Sequence, residues 1–477
     1  MRYTVPVNAA DEVPALVDAG AGEFYVGYQD AWWVQRYGDH DSASRRQGRA
    51  NLSTRAELRA VVRAAEERHV PVWLALNSRY TEPQLDYLCE LAADFEAMGG
   101  TGVIASDLGL LWRLRDRGGL ARCLSILAVA QNAATLRAFS QLGVSRVVLP
   151  RFVSPRDAGE LLRAVPGMEG ESMAFFDKCP WVDGYCRHRH GVTYAPREVV
   201  GGVDDAPRLY TFDTTYQTHA CLGKACTYLE PYPCAACYLR EFEQAGVSVA
   251  KLGGRGRPLD ERLRALRFLR EAYDLRDDVE RQALYRRTFG QKCACYYGRA
   301  VQNRRAIEPV EDPEELAGSC ALGSQTDYEA YGRAIDMLCR GAGGEAGAIA
   351  LRVPPLNDGE LADLVKALPE LVTSCAGVLR LCVNDLGTYL TLAHERRERG
   401  LSFDLIAGTL LARVDNPREV AHFLAADENP SRPVWGPNGE PRVLAYREPP
   451  AALIRHWQTP SLLEPSAQAA LHVLVLE

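Results

Sequence analysis

Short apolar runs alternate with amphipathic stretches of helical period along the first half of the chain. Residues 3–7 and 23–27 are each long enough for a single strand. A polar loop then leads to the helical stretch RAELRAVVRAAEERH, which Ser53 or Thr54 caps, and to the apolar run VPVWLALN, which ends at Asn77. This alternation is typical of repeated βα units around a parallel sheet.

The alternation continues far enough to indicate a specific architecture. Five more apolar runs follow in order: TGVIASD, LSILAVAQN, RVVLPR, ESMAFFDKC and VSVAKLGGRGR. With the three earlier runs they predict eight strands within about 260 residues, the size of a closed (β/α)8 TIM-like barrel. An open doubly wound sheet is the alternative.

The alternation of apolar runs and amphipathic helical stretches is lost after the predicted barrel, through QKCACYYGRAVQNRRAIEPVEDPEEL, and returns at GAIALRVPPL. We predict a boundary near residue 290, with a barrel and a cysteine-rich insertion in residues 1–290 and an α/β domain in residues 291–477. The stretch VLRLCVNDLGTYLTL resembles TGVIASDLGLLWRL, with Asp385 set against Asp107. This echo raises the hypothesis that the C-terminal domain is a partial repeat of the barrel, although so short a match also arises by chance.

Composition and charge narrow the class of protein. The 477 residues are 47% hydrophobic and 25% charged, with a net charge of −7, as in globular chains. No apolar run is long enough for a membrane span, and the N-terminus lacks a basic segment followed by an apolar one, so we expect a cytoplasmic protein. Nucleic acid is disfavoured as a partner because the acidic balance gives no basic footprint.

Six of the 14 cysteines are concentrated between Cys179 and Cys237, beside Pro, Gly, Asp, Lys and His. Three interpretations compete. A disulfide framework is disfavoured in a reducing compartment. A zinc site of Cys221, Cys226, Cys234 and Cys237 has suitable paired spacing. An iron-sulfur cluster held from separated loops also explains why Cys179 and Cys186 lie upstream of that set.

Residues 3 to 275 contain a series of motifs in a fixed order, namely GEFYVG, VPVWLALN, GVIASDLGLL, RVVLPRFVSP, CPWVDGYC and CAACYLREFEQAGVSVAKLGGRGR. In these motifs the chain resembles the collagenase-like peptidase family, whose members include oxygen-independent hydroxylation proteins for ubiquinone, transfer RNA and ribosomal RNA. Two features differ from the family. LSILAVAQN lacks the Ser-Thr-Gln run that is common on the fifth strand, and Phe175-Phe176 replaces a His-Gly pair before the first cysteine.

The resemblance implies a 4Fe-4S cluster held by Cys179, Cys186, Cys221 and Cys234, with Cys226 and Cys237 as substitutes for the last two. It also implies prephenate, a dicarboxylate, as oxygen donor. Guanidinium groups bind carboxylates in bidentate fashion, and a barrel carries its chemistry at the carboxyl ends of its strands. The substrate-binding candidates are therefore Arg45, Arg46, Arg49, Asn77, Arg79 and Arg255.

The leading hypothesis is a cluster-dependent, oxygen-independent hydroxylase or related redox enzyme acting on a small molecule. We predict catalytic roles for Asp107 and Asp177 in proton transfer and for Arg151 at the end of the sixth strand. A peptidase is disfavoured because no HExxH helix, GxSxG elbow or recognisable cysteine nucleophile occurs. A third hypothesis is a non-catalytic cluster-bearing subunit that supports a homologous partner chain.

Overall fold

The computed structural model describes residues 1–37, 42–46, 48–80, 82–151, 153–176, 232–290, 294–295, 349–353, 356–374, 379–383 and 385–407. The chain divides into two compact units. The first contains a closed barrel of parallel strands. The second contains a three-stranded parallel sheet and also includes the segment Ala130–Ala138.

Eight of the ten strands described in the first unit form a closed ring. In chain order the ten strands are β1 (Arg2–Pro6), β2 (Glu23–Gly27), β3 (Val72–Leu76), β4 (Gly102–Ala105), β5 (Ala121–Leu124), β6 (Val144–Val148), β7 (Glu169–Phe175), β8 (Pro233–Cys234), β9 (Val247–Leu252) and β10 (Ala294–Cys295). The short strands β8 and β10 extend the sheet beside β7. Strands β1 to β7 pair in order, all parallel. Strand β9 pairs parallel with both β7 and β1, which closes an eight-stranded barrel and excludes the open sheet.

Helices follow the barrel strands. They are α1 (Val13–Asp18), α2 (Ala31–Tyr37), α3 (Arg55–Glu66), α4 (Glu82–Ala97), α5 (Leu108–Leu114), α6 (Ala133–Ser140), α7 (Pro155–Ala164), α8 (Leu239–Gln244), α9 (Leu259–Asp274) and α10 (Asp278–Phe289). The capping residue of α3 is Thr54, whose hydroxyl accepts from the backbone N–H of Glu57. In the ranges that the structure describes, we find no helix with the length and hydropathy needed to cross a bilayer.

The predicted position of the fifth strand is wrong. The strand is Ala121–Leu124, and the segment taken from LSILAVAQN instead begins a 3-10 helix at Ile126–Ala128. The Ser125 hydroxyl accepts from the backbone N–H of Leu127 at 3.3 Å, and Val129 ends the helix in the left-handed region. Apolar composition alone cannot distinguish a strand from such a capped turn.

The second unit is α/β, as predicted for the C-terminal domain. Its strands β11 (Ile349–Val353), β12 (Leu379–Val383) and β13 (Asp404–Ala407) are parallel, and its helices are α11 (Asp358–Ser374) and α12 (Leu386–Arg399). The boundary near residue 290 and the partial repeat remain predictions. The local echo is confirmed, because Asp107 caps α5 directly after β4 just as Asp385 caps α12 after β12.

Two helix caps interlock inside the second unit. Asp385 Oδ1 accepts from the Thr388 backbone at 2.9 Å, from Asn132 Nδ2 at 3.1 Å and from the Thr135 hydroxyl at 2.9 Å. Asn132 Oδ1 in turn accepts from the Thr135 backbone at 2.8 Å. The Gly387 backbone donates to the Thr135 hydroxyl at 3.0 Å, so each cap supports the other. Burial raises the pKa of Asp385.

The interlock predicts a strict requirement for glycine at position 387. A Cβ there would overlap the backbone nitrogen of Thr135, which cannot move without breaking the cap of α6. We expect Gly387→Ala to lower the free energy of unfolding by about 1–3 kcal/mol, measured by urea denaturation. The matched control is Gly359→Ala, where a Cβ meets only Asn357 Oδ1 at 3.4 Å. Equal stability of the two variants would contradict the interlock.

Candidate functional site

Charged residues occupy the interior of the barrel. The guanidinium of Arg146 on β6 donates to both carboxylate oxygens of Glu23 at 2.6 and 2.9 Å and to Glu169 at 2.6 Å. Lys251 on β9 donates to Glu171 at 2.6 Å, and Arg146 lies 3.6 Å from the same carboxylate. These five side chains link β2, β6, β7 and β9 across the barrel, and we call them the barrel ion network.

The walls around the network are aromatic. The Arg146 guanidinium carbon lies 4.3 Å from the centroid of the Trp73 ring, and the Lys251 ammonium nitrogen lies 4.3 Å from the centroid of the Tyr25 ring. Both are cation–π pairs. Burial alone would lower the pKa of Arg146, but the hydrogen bond to Glu23 and the charge of Glu171 outweigh it and raise that pKa. Burial, aided by Glu171, raises the pKa of the Cys123 thiol well above its usual value. Cys123 is therefore a neutral core residue.

Sequence reasoning missed the barrel ion network. Its only sequence signal is a charged residue inside an otherwise apolar strand, as Glu23 in EFYVG and Lys251 in VSVAKL. Such a residue can face the barrel interior or an outer helix, and strand register decides between them. The pairing of β7 with β9 sets Met173 opposite Lys251 and Glu171 opposite Val249. Only this closure brings residues from distant strands together.

The predicted residues at the carboxyl ends of β3, β4 and β6 have different environments. Asp107 is buried, and its Oδ1 accepts from the Leu110 backbone at 2.8 Å as the cap of α5. The Ser106 hydroxyl donates to the Asn77 carbonyl at 3.2 Å, which links the ends of β3 and β4. Arg151 is buried in the turn after β6, and Arg79 is half-buried after β3. Asp177 lies outside the described residues.

The loop after β2 meets the loop after β9. The Arg255 guanidinium donates to the Ser44 carbonyl at 2.6 Å, next to Arg45, whose φ of 59° lies in the left-handed region. Asn51 donates to the Arg46 carbonyl at 2.6 Å. Gly27 is required there because a Cβ would overlap Asn51 and Arg255. Arg255, Arg45 and Arg46 are thus placed on adjoining loops.

Arg49 stands apart from that group in its exposure. It lies in the 3-10 helix Gly48–Ala50 and is exposed, whereas Arg45 and Arg46 are half-buried. The structure therefore places three of the predicted arginines, Arg45, Arg46 and Arg255, on adjoining loops at the rim of the barrel. Their role in substrate binding, like that of Arg49, Arg79 and Asn77, remains a prediction.

Cys234 lies on a short strand beside the end of β7. Strand β8 pairs antiparallel with β7, so that Cys234 is opposite Phe175. The Cys234 side chain is buried, and its Sγ accepts the backbone N–H of Ala236 at 3.3 Å. Cys237 is half-buried three residues later. Backbone N–H groups directed at sulfur stabilise a thiolate and are typical of iron-sulfur ligands.

The remaining predicted ligands, Cys179, Cys186, Cys221 and Cys226, lie outside the described residues. Among the residues that are described, no group of three or more His, Cys, Asp or Glu side chains forms a metal site. The 4Fe-4S cluster and its zinc alternative therefore remain predictions. Cys234 and Cys237 supply two sulfur donors that fit either centre.

Aromatic rings cover the sheet next to Cys234. The rings of Phe175 and Phe176 lie edge to face with their centroids 4.7 Å apart, and the Phe176 and Tyr232 ring centroids are 5.1 Å apart. Phe176 adopts a φ of 60°, the left-handed region that favours glycine. The departure from a His-Gly pair thus puts a large ring on a backbone suited to glycine. The guanidinium of Arg257 packs on Phe176 at 4.5 Å.

A second cluster lies where α2 follows β2. Trp32 on α2 is 44% exposed. Its ring stacks on that of Tyr87 of α4 with the centroids 4.5 Å apart, and the Arg36 guanidinium carbon lies 5.6 Å from the indole centroid. Asp30 accepts from the hydroxyls of Tyr28 at 3.0 Å and Tyr87 at 2.5 Å. Burial, opposed by Arg55 and aided by Asp30, raises the pKa of Tyr28 to about 12. We call Trp32, Arg36 and Tyr87 the aromatic platform.

Fold and site together define a TIM-like barrel protein with polar groups at its strand ends and a buried thiol beside β7. The chain belongs to peptidase family U32, whose profile matches residues 8–303. A curated relative is the tRNA hydroxylation protein P of Escherichia coli (strain K12), 34% identical over 90 residues. That match covers 19% of this chain and 20% of the relative, so it spans about a fifth of the relative's length.

Two solved structures are similar to the chain at low identity. The U32 peptidase Mk0906 has a TM-score of 0.33 and 13% identity, covering 53% of this chain and 93% of that chain. The 2,3-dimethylmalate lyase, a PEP mutase/isocitrate lyase superfamily member, has a TM-score of 0.30 and 10% identity, covering 70% of this chain and 93% of that chain.

The barrel ion network predicts a large cost for removing its central cation. Arg146→Met leaves the buried carboxylates of Glu23 and Glu171 without that partner, which we expect to cost about 3–5 kcal/mol in thermal or urea unfolding. The control Arg156→Met removes an exposed pair with Glu160 and should change stability by less than about 0.5 kcal/mol. The double variant Glu23→Gln/Arg146→Met should recover part of the loss. Wild-type stability of Arg146→Met would refute the prediction.

Proposed function

We propose that the chain is an iron-sulfur-dependent, oxygen-independent hydroxylase, with prephenate as oxygen donor and a small molecule as acceptor. Membership of peptidase family U32 supports this proposal, as does the name of the curated relative, a tRNA hydroxylation protein. The observation that carries it is the buried Cys234 thiol, which accepts a backbone N–H beside the end of a barrel strand.

Cys234 has an environment suited to a cluster ligand. The N–H of Ala236 donates to its sulfur, and such a bond stabilises the charge that a metal-bound thiolate carries. In the proposal Cys179, Cys186 and Cys221 complete the ligand set, with Cys226 and Cys237 as substitutes. A bound 4Fe-4S cluster would supply one-electron chemistry.

We propose that Arg45, Arg46 and Arg255 at the barrel rim bind the carboxylates of prephenate. Arg255 is fixed by the Ser44 carbonyl, close to the loop of Arg45 and Arg46, so a dicarboxylate there would meet guanidinium groups from two loops. Arg151 is the proposed third contact, from the end of β6. Positioning of donor and acceptor by such contacts contributes to the rate by reducing the entropy lost in reaching the transition state.

Asp107 has a narrower role than a free carboxylate would have. Its Oδ1 is held by the N–H of Leu110, which leaves Oδ2 as the oxygen for proton transfer. We propose that Asp107 accepts a proton from a substrate, with Asp177 as the second carboxylate of the predicted pair. Substitution of Asp107 by Asn keeps the cap and removes the base, which separates the two roles.

The hydroxylase proposal predicts oxygen transfer in the absence of O₂. Anaerobically purified chain, supplied with a reductant, a panel of aromatic and quinone-like acceptors and prephenate labelled with ¹⁸O, should give a product carrying the label, detected by mass spectrometry. Asp107→Asn should lower the rate by about 10²–10⁴-fold while thermal stability is kept. Lack of any labelled product, with a cluster bound, would remove the donor claim.

The rival interpretations give different results in the same preparation. One zinc per chain and no iron would favour the zinc alternative. A cluster-loaded chain that becomes active only with a homologous chain added would favour the supporting-subunit hypothesis. Hydrolysis of gelatin that persists after iron chelation would favour the peptidase suggested by the family name.

RNA is a second candidate acceptor, favoured by one specific observation. The aromatic platform presents an exposed indole beside a guanidinium, and such surfaces stack nucleobases. The relative's name also refers to transfer RNA. The acidic net charge weighs against RNA, because phosphate contacts supply most of the affinity in nucleic-acid binding.

A substitution at the platform tests the RNA candidate. Removing the indole by Trp32→Ala should weaken binding of a single-stranded RNA about tenfold, since stacking contributes roughly 1–3 kcal/mol per base. The control Trp32→Phe keeps a ring and should keep most of the affinity in a filter-binding assay at fixed salt. Equal binding by both variants, or no binding by the wild type, would exclude the platform as an RNA site.

A further inference from the structure

Lys251 is the one charged residue of β9, and it lies just below the rim of the barrel. It is the fifth of the six residues in that strand, four positions before Arg255 on the rim. Register sets it opposite Thr4 on β1 and Met173 on β7. Its ammonium contacts groups inside the barrel, so the side chain faces the interior, where it is 8% exposed.

The carboxylate that neutralises Lys251 is shared with a second cation. Glu171 accepts from the Lys251 ammonium through Oε1 at 2.6 Å, and its Oε2 lies 3.6 Å from the Arg146 guanidinium. The carboxylates of Glu23 and Glu169 pair with Arg146 instead. An ammonium has three N–H donors, and within the described residues Glu171 is its one hydrogen-bond acceptor. Lys251 therefore keeps donors and part of its charge for a ligand.

Tyr25 connects Lys251 to the rim. The Lys251 ammonium nitrogen lies 4.3 Å from the centroid of its ring, and the Arg255 guanidinium carbon lies 5.9 Å from the same centroid. The two cations are thus no farther apart than these two distances combined. The Tyr25 hydroxyl donates to the Leu252 carbonyl at 2.8 Å, which holds the ring in place. Two cations at such a separation suit the two carboxylates of one small molecule.

A buried donor beside Tyr25 also indicates a ligand. Trp73 on β3 is opposite Tyr25 in the register of β2 and β3, so both rings belong to the interior face. The indole N–H of Trp73 is buried and has no acceptor among the residues that the structure describes. Buried donors are nearly always hydrogen-bonded. A carboxylate bound at this level of the barrel would supply an acceptor.

We propose that Lys251 and Arg255 bind the two carboxylates of one small dicarboxylate, with Lys251 holding the inner carboxylate and Arg255 the outer one. The inference rests on the proposed function, in which the oxygen donor is a dicarboxylate, and it moves one of that donor's carboxylates from the rim arginines to Lys251. A monocarboxylate leaves one of the two cations without a ligand. Lys251 thus determines specificity for a doubly charged molecule.

Equilibrium binding to the full chain tests the proposal. Isothermal titration calorimetry gives the dissociation constants of prephenate, of succinate and of butyrate, a monocarboxylate with the carbon count of succinate. We expect wild type to bind each dicarboxylate about 10–100-fold tighter than butyrate, the range for one added hydrogen bond to a charged group. Lys251→Met should bring succinate to the affinity of butyrate. Lys251→Arg, which keeps the charge, should retain most of the preference.

Two further variants separate binding from stability. Lys366→Met changes an exposed lysine on α11 and should bind every ligand as wild type does. The double variant Glu171→Gln/Lys251→Met covers the case in which Lys251→Met fails to fold, because it leaves no buried carboxylate without Lys251. It should also lack the preference. A purely structural role for Lys251 would lower stability and leave the ratio of the succinate and butyrate constants unchanged, which would overturn the proposal.

Different outcomes overturn this proposal and the proposed function. Equal affinity of wild type for prephenate, succinate and butyrate overturns the binding pair, whatever the result of the oxygen-transfer assay. A Lys251-dependent preference for dicarboxylates in a cluster-loaded chain that transfers no label from prephenate overturns the proposed function and supports the binding pair. Binding of succinate without binding of prephenate supports the pair and assigns it to another dicarboxylate.

Discussion

The guanidinium of Arg146 is the contact on which the barrel depends. It is buried among the carboxylates of Glu23, Glu169 and Glu171, and it links β6 to β2 and β7 through the interior. A cation in this position has to be paired, because an unpaired buried charge costs several kcal/mol. The carboxylates in turn need the cation, so the network favours the strand register that brings these side chains together.

Much of the fold could be predicted from the sequence because its signals are local. Apolar runs with helical stretches between them gave the number of barrel strands, and the predicted cap of α3 at Ser53 or Thr54 is confirmed at Thr54. The fifth strand was misplaced because LSILAVAQN is apolar yet contains a capped 3-10 turn, and the Ser125 cap is visible only in three dimensions. The left-handed backbone of Phe176 could not be anticipated either, since a phenylalanine disfavours it by about 1–2 kcal/mol.

The site was less predictable because it depends on contacts between distant segments. The predicted strand ends pointed to Asp107, Arg151 and Arg255 as site candidates. They did not show that the loop of Arg255 contacts the loop that carries Arg45 and Arg46. The aromatic platform joins α2 to α4, so no sequence window shows Tyr87 beside Trp32. The position of Cys234 opposite Phe175 is likewise a matter of register and not of spacing. Cysteine counting favoured short intervals, whereas a sheet makes neighbours of residues far apart in the chain.

The position of β9 carries a consequence for how the protein assembles. The barrel cannot close until β9 inserts between β7 and β1, and the chain between Phe175 and Val247 has to loop back first. Cys179, Cys186 and Cys234 all fall within that loop. Ligation of one inorganic centre by residues near both of its ends would shorten the free loop and lower its closure entropy, as a cross-link does. Binding of the proposed cluster and completion of the fold would then be linked equilibria.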